Sequence, residues 1–303
     1  MICIRDKKID VNHFPDGTQM LLDWYTLNWP KDMCGDYRII WHYENDAEMV
    51  TLYYLVNHLK RNGAMSDKIH LYLPYIPNAR MDRTHSFKEV FTLKYFAEFI
   101  NQLNFKTVTV LDPHSDVSTA LINNVVVETP DEYIEKTLIT IKYQNHISDE
   151  DLVIYFPDNG AYKRYKDMKV LKPYKKMYGQ KVRDWDTGEI KGLDIIHEDG
   201  TKLGSTETKD GVLSLSSKYV LMIDDIISYG GTFYYSALKL NEFKPAGIYA
   251  YATHTEPNSL WNEEKGTFIK VLKNGIVKKL YTTTSIYNIN GNDFVNPIPV
   301  KKQ

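Results

Sequence analysis

The stretch Tyr219-Val-Leu-Met-Ile-Asp-Asp-Ile-Ile-Ser-Tyr-Gly-Gly-Thr232 holds the residue types that chemistry on a phosphorylated sugar needs. An apolar β-type run ends in two carboxylates, Asp224 and Asp225, which suit sugar hydroxyls or a metal. A Gly-Gly-Thr turn follows and leads into a helix-like segment near Phe233. Glycines let a backbone approach an anion closely, and free N–H groups at a helix start receive phosphate. An ordinary core strand followed by a plain turn fits the same local pattern.

Three further stretches have this form. Phe156-Pro-Asp-Asn-Gly160 places Asp158 after an apolar run, and Lys163 and Arg164 open a basic stretch that continues to Lys181 and Arg183. In an extended segment Lys181 and Arg183 project to one side, where two cations can clamp a transferring phosphoryl group. Leu111-Asp-Pro-His-Ser-Asp116 gathers Asp112, His114 and Asp116, a set able to hold a Mg²⁺–phosphate complex or simply a hydrogen-bonded strand-end turn. Pro74-Tyr-Ile-Pro-Asn-Ala-Arg-Met-Asp-Arg83 stiffens a turn with two prolines and offers Arg80 and Arg83 to phosphate or to a base. Together these clusters suit phosphoryl or diphosphoryl transfer.

The elements that must position them alternate in type. Strands are expected at Ile69–Leu73, Thr107–Leu111, Leu152–Phe156, Tyr219–Ile223 and Ile248–Thr253. Ser86-Phe-Lys-Glu89 has the form of a capping box, and Phe96, Phe99, Ile100 and Leu103 mark a helical apolar face. Such alternation predicts an α/β fold of mainly parallel sheets covered by helices. The polar stretch near Thr140–Asp151 divides the chain into domains 1–145 and 146–303. Glu189–Ser217, rich in Gly, Thr, Lys and Asp, reads as a hairpin or loop, serving either as an active-site flap or as a plain surface insertion. The 303 residues carry a net charge of −2, with 43% hydrophobic and 25% charged residues. This balance points away from nucleic acid and membrane surfaces. Two cysteines, Cys3 and Cys34, and no signal-like or spanning segment lead to the expectation of a soluble cytoplasmic protein.

The motifs, taken in order along most of the chain, resemble the phosphoribosyl pyrophosphate synthetase (ribose-phosphate diphosphokinase) family. His13-Phe-Pro-Asp-Gly-Thr18 is similar to that family's Phe-x-Asp-Gly-Glu, and Leu73–Arg83 to its Tyr-x-x-Tyr-Ala-Arg-Gln-Asp-Arg segment. Asp112-Pro-His114 resembles Asp-Leu-His, and Phe156–Arg164 resembles Ser-Pro-Asp-x-Gly-x-x-Lys-Arg. Lys181-Val-Arg183 resembles the Lys-x-Arg of a catalytic flexible loop. Asp224–Thr232 resembles the ribose-phosphate loop, and Tyr251-Ala-Thr-His254 another family string. The resemblance implies two type I phosphoribosyltransferase-like domains with a site between them. It also implies transfer of the β,γ-diphosphoryl group of Mg-ATP to an anomeric hydroxyl, with release of AMP. By the same resemblance Phe14, Asp16, Arg80, Asp82, Arg83 and His114 serve ATP, and His114 and Asp158 bind Mg²⁺. Lys181 and Arg183 are then catalytic. Asp158, Asp224, Asp225, Ser228, Tyr229, Gly230, Gly231 and Thr232 bind the acceptor's ribose-phosphate. The Phe14–Asp16 segment implies a homodimer or larger homo-oligomer, because in the family it serves a neighbour's ATP site.

Four positions depart from the family pattern. Thr18 stands for Glu, Met81 for Gln, Pro113 for Leu, and Tyr229 for the small Thr of the sugar-phosphate loop. A tyrosine at 229 crowds a simple phosphate pocket unless it points outward, where it can stack on something larger. The acceptor is therefore either free ribose 5-phosphate, in nucleotide biosynthesis, or ADP-ribose, which phage-encoded members of the family diphosphorylate in a route that rebuilds NAD⁺. A phosphoribosyltransferase and a catalytically silent regulatory homologue are the alternatives from other classes. The ATP-type segment argues against the first, and the retained charged residues argue against the second.

Overall fold

Short apolar runs rich in β-branched and aromatic residues, separated by amphipathic helices, build two parallel-dominated sheets. The computed structural model describes residues 1–4, 7–21, 36–183, 190–204, 215–261, 267–286 and 293–300. Of the expected 189–217 loop, residues 189 and 205–214 lie outside the described residues. Contacts group the chain into two units, Met1–Thr129 together with Val300, and Pro130–Pro299.

The first unit comprises β1 (Ile2–Ile4), β2 (Lys7–Lys8), the hairpin β3 (Val11–His13) and β4 (Gln19–Leu21), and β5 (Tyr37–Trp41). It continues with α1 (Ala47–Arg61), β6 (Ile69–Tyr72), α2 (Thr92–Gln102), β7 (Thr107–Leu111), α3 (Asp116–Leu121) and β8 (Val125–Glu128). The sheet order is β2-β1-β5-β6-β7-β8, with β5 through β8 parallel and β1 antiparallel to β5. Helix α2 turns Leu93, Phe96, Ala97 and Ile100 inward, the 3.6-residue period read from the sequence. The expected capping box does not start this helix. Ser86 Oγ accepts from Lys88 N–H and Glu89 Oε2 from His85 N–H, which closes a separate turn, and Phe91 is the residue before α2.

The second unit comprises α4 (Asp131–Asn145), β9 (Leu152–Phe156), α5 (Asn159–Tyr165), β10 (Lys175–Arg183) and β11 (Ile190–His197). It continues with β12 (Tyr219–Ile227), α6 (Gly231–Asn241), β13 (Gly247–Thr255), α7 (Asn258–Trp261), α8 (Thr267–Lys273), β14 (Val277–Thr283) and β15 (Val295–Ile298). The order is β11-β10-β9-β12-β13-β14-β15, parallel except for β11. Strands β9 and β13 are buried along their whole length, as parallel strands covered on both faces are. The expected domain limit, 145/146, falls at the end of α4, whose contacts group it with this second sheet.

Residue 179 shows how closely the elements of this unit meet. A Cβ on Gly179 would lie 2.5 Å from Tyr155 Oη and 2.6 Å from the carbonyl oxygen of Pro157. Only glycine lets β10 pass this close to the turn that ends β9. Gly179→Ala is expected to destabilise the unit by about 1–3 kcal/mol, the usual range for overpacking. Gly192→Ala, where nothing lies within 4 Å of the added carbon, is expected to be near neutral. Urea-unfolding midpoints compare the two, and equal midpoints would refute the packing argument.

Candidate active site

Strand order places a cleft-forming point in the second sheet. From β9 the chain crosses to β10 on one side, and from β12 it crosses to β13 on the other. Between β9 and β12 the winding therefore reverses, and ligands of open α/β sheets bind outside the strand ends at such a switch point. The pairing of β12 with β9 ends at Met222, while its pairing with β13 runs on to Ile227. Asp224 and Asp225 thus lie inside β12, which extends four residues past the expected end at Ile223. They sit just where the β9 side of the strand is no longer covered by a ladder.

Asp225 is buried and Asp224 partly buried. The Asp225 N–H donates to Asp224 Oδ1 (2.9 Å), and Arg164 Nη1 lies 3.3 Å from Asp225 Oδ2. Burial, then the neighbouring Asp225 and Asp158 carboxylates, push the Asp224 carboxyl well above its ordinary value. On the other side of the switch point Asp158 caps α5, its Oδ1 accepting from Ala161 N–H at 3.0 Å. The loop after β12 enters α6 through Gly230, with φ of 73°. A Cβ there would meet Phe268 Cβ at 2.3 Å, so glycine is required on two counts. Ser228 and Thr232 are partly buried, and Tyr229 is 50% exposed.

Lys181 is exposed on β10, paired with Leu193 of β11. The backbone puts Arg183 opposite Ile190, with Lys191 as the extra residue of a bulge in the partner strand. The segment read as a hairpin or loop thus includes β11, which pairs with the strand carrying Lys181 and Arg183.

The remaining expected site residues belong to the first unit. Leu73 N–H donates to Thr109 O and Leu111 N–H to Pro74 O, which carries the β6–β7 pairing into the proline turn. Arg80 and Arg83 are exposed beyond it, and Arg83 Nε lies 2.8 Å from Asp82 Oδ1. Hydrogen bonding from Arg83 holds the Asp82 carboxyl below the usual range, with smaller help from Arg83's charge, Ser115 and His114. The two sequence clusters, Leu73–Arg83 and Asp112–His114, therefore meet in space. Asp112 itself is buried with φ of 43°, its N–H donating to Glu128 O. In the β3–β4 hairpin Thr18 donates from N and Oγ1 to Asp16 Oδ1 (3.0 and 2.7 Å), which lowers the Asp16 carboxyl, and Phe14 is 49% exposed. A cleft of about 660 Å³ lies beside this hairpin, lined by Asn12, His13, Gln19, Glu44, Glu48 and Thr51 among others. The Asp82–His114 cluster is not part of its wall.

Several contacts were not foreseen. Arg164, one cation of a basic run in the sequence, is a partner of Asp225. Glu256 accepts a hydrogen bond from Ser228 Oγ at 2.6 Å, and no local pattern announces it. His254 is buried against Ser285 Oγ (2.7 Å) within a polar core layer. Among the described residues no three His, Cys, Asp or Glu side chains converge as a metal cage. Mg²⁺, however, is commonly held through one or two carboxylates together with substrate phosphates. Asp158, a carboxylate at the switch point, is the donor type that this demand calls for. No helix among the described residues is long and apolar enough to cross a membrane.

No protein-family model matches the chain. It is 28% identical over 243 residues to a ribose-phosphate pyrophosphokinase from Mycoplasma pneumoniae, covering 80% of this chain and 66% of that protein. It is 26% identical over 241 residues to a protein of the same name from Bacillus subtilis, covering 80% and 66%. The match thus spans just under two thirds of each relative's length. The crystal structure of phosphoribosylpyrophosphate synthetase from Mycobacterium smegmatis aligns with 96% of this chain and 86% of its own, at TM-score 0.69 and 16% identity. That likeness shows the shared fold.

The raised Asp224 carboxyl has a measurable consequence in the ligand-free protein. Its folded value lies above the unfolded one, so its stability contribution is complete below about pH 4 and is lost as pH rises through the folded value. Asp224→Asn cannot ionise and escapes that loss. The variant is expected to melt a few degrees above the wild type at neutral pH, with the gap closing near pH 4. An equal or lower melting temperature at neutral pH contradicts the electrostatic reading.

Proposed function

We propose that this chain, which belongs to the ribose-phosphate pyrophosphokinase family, is an ATP-dependent diphosphokinase. It joins the anomeric oxygen of a ribose 5-phosphate group to the β-phosphorus of ATP, breaks the bond between that phosphorus and the α,β-bridging oxygen, and releases AMP. The observation that carries this reading is the switch point between β9 and β12. There Asp158, Asp224 and Asp225 stand beside a Ser-Tyr-Gly-Gly-Thr turn that opens α6. Asp224 and Asp225 accept the ribose hydroxyls, whose donation offsets the like charges. The N–H groups at the start of α6 and the loop 228–232 receive the 5-phosphate. Lys181 and Arg183, on β10, stabilise the moving diphosphoryl group. Phe14, Asp16, Arg80, Asp82, Arg83 and His114 serve the nucleotide, with Asp16 and Asp82 held as carboxylates by Thr18 and Arg83. Asp158 and His114 are the residues we assign to hold Mg²⁺, which when bound would supply charge neutralisation at the ATP phosphates. No covalent intermediate is required, since positioning and charge neutralisation supply the catalysis.

The relatives' names favour free ribose 5-phosphate as the acceptor. One observation favours a larger acceptor, ADP-ribose. The half-exposed ring of Tyr229, with the exposed Tyr235 one turn into α6, offers a stacking surface beside the phosphate loop. We also assign the protein a homodimeric or larger assembly, through the hairpin carrying Phe14 and Asp16.

Mg-ATP incubated with ribose 5-phosphate or with ADP-ribose distinguishes the readings by AMP release and product mass. AMP with ribose 5-phosphate alone rejects the larger acceptor, and AMP with neither overturns the diphosphokinase assignment. Because Lys181 is exposed, Lys181→Ala is expected to lower turnover about 100-fold or more without shifting the melting temperature. An unchanged rate would sink the role given to this cation.

A further inference from the structure

The Ser228–Glu256 contact lies at the edge of the phosphate loop, and nothing in the reaction described above uses it. Ser228 Oγ donates to Glu256 Oε2 at 2.6 Å, the short distance of a charge-assisted hydrogen bond. Glu256 is firmly held. Its N–H donates to Ile227 O (2.9 Å), and its carbonyl accepts from Ser259 N–H (3.0 Å) and Ser259 Oγ (2.7 Å). Ser259 is completely buried. The carboxylate is therefore anchored by the same backbone that ends β12 and β13, while Ser228 opens the loop leading to Gly230 and α6.

A serine hydroxyl carries one proton. With that proton on Glu256, Ser228 presents only lone pairs to the loop. A phosphate dianion can only accept, so it gains nothing from this hydroxyl unless the contact with Glu256 breaks. It also meets a negative charge fixed next to its seat, in a partly buried position where screening is weak. We infer that Glu256 is a positioning and specificity residue, an internal anion that competes with the acceptor's phosphate for the Ser228 proton and sets how tightly the loop holds a dianionic phosphate. The inference rests on the assignment of loop 228–232 to the acceptor phosphate.

The test separates charge from hydrogen bonding. Glu256→Gln keeps an oxygen that accepts from Ser228 and removes the charge. Its KM for ribose 5-phosphate is expected to fall about 3- to 10-fold, with kcat moving less than KM. Glu256→Ala also frees the Ser228 proton. Adding Ser228→Ala to it is expected to raise KM at least about threefold more than Ser228→Ala does in the wild type, a non-additivity that mere structural support would not produce. KM values within twofold of wild type for Glu256→Gln, or an additive cycle, overturn the inference while leaving the diphosphokinase reading intact. If Glu256→Ala fails to fold, the Gln variant decides alone. Protection by inorganic phosphate in thermal melts reads the same competition without turnover. Stronger protection in Glu256→Gln than in wild type is expected, and equal protection, including none in either, counts against the inference. Wild-type protein that releases no AMP while the Gln variant gains phosphate protection rejects the reaction and keeps the competition.

Discussion

Two carboxylates on consecutive residues of a buried strand are electrostatically unfavourable, and the second unit is organised around that fact. A charge withdrawn from water must be paired, solvated or neutralised. β12 meets the demand by leaving one side uncovered. Its ladder with β9 stops at Met222, so Asp224 and Asp225 emerge where the sheet opens. Arg164 pairs with Asp225, a backbone N–H serves Asp224, and the rest of the imbalance stays as a raised carboxyl. Such a site is unfavourable when empty and receptive to hydroxyl donors or a cation, which is the usual relation between strain and binding.

Much of the surrounding architecture follows from keeping that opening in place. β9 and β13, buried on both faces, give a rigid floor. Gly179 lets β10 lie against the turn after β9, and this is the strand from which Lys181 projects. Gly230 performs the corresponding task at the start of α6, where Phe268 leaves no room for a side chain. The glycines act here through close packing as much as through backbone freedom. In the first unit the same logic is milder. Asp82 is paired with Arg83 and lies near His114, and Asp16 is held by its own hairpin through Thr18.

The departures from the family pattern gain physical content in this setting. Thr18, standing where the family has an acid, makes an Asx-type turn that orders Asp16. Tyr229 is half exposed rather than buried within the loop that opens α6. Glu256 adds a carboxylate next to the loop's first hydroxyl. Under the proposed reaction, position 229 and this added carboxylate bear on the identity of the acceptor more directly than the acids and glycines of the same segment.

The amino-acid sequence by itself determined the element types and the clusters of reactive residues. Both are local properties: apolar periodicity, glycine and proline placement, and the order of motifs along the chain. The Leu152–Phe156 and Thr107–Leu111 strands, the helical face through Phe96 and Ile100, and the acid-then-glycine pattern at 224–232 were legible on those grounds. The serine and glutamate of Ser86–Glu89 misled, because the same spacing closes a free turn as readily as it caps a helix. Only the tertiary structure decided which residues of distant segments meet. The reversal of winding between β9 and β12, the pairing of Arg164 with Asp225, and the reach of Glu256 to Ser228 depend on strand order and register. These are set by long-range pairing and burial, to which no local pattern of residues has access.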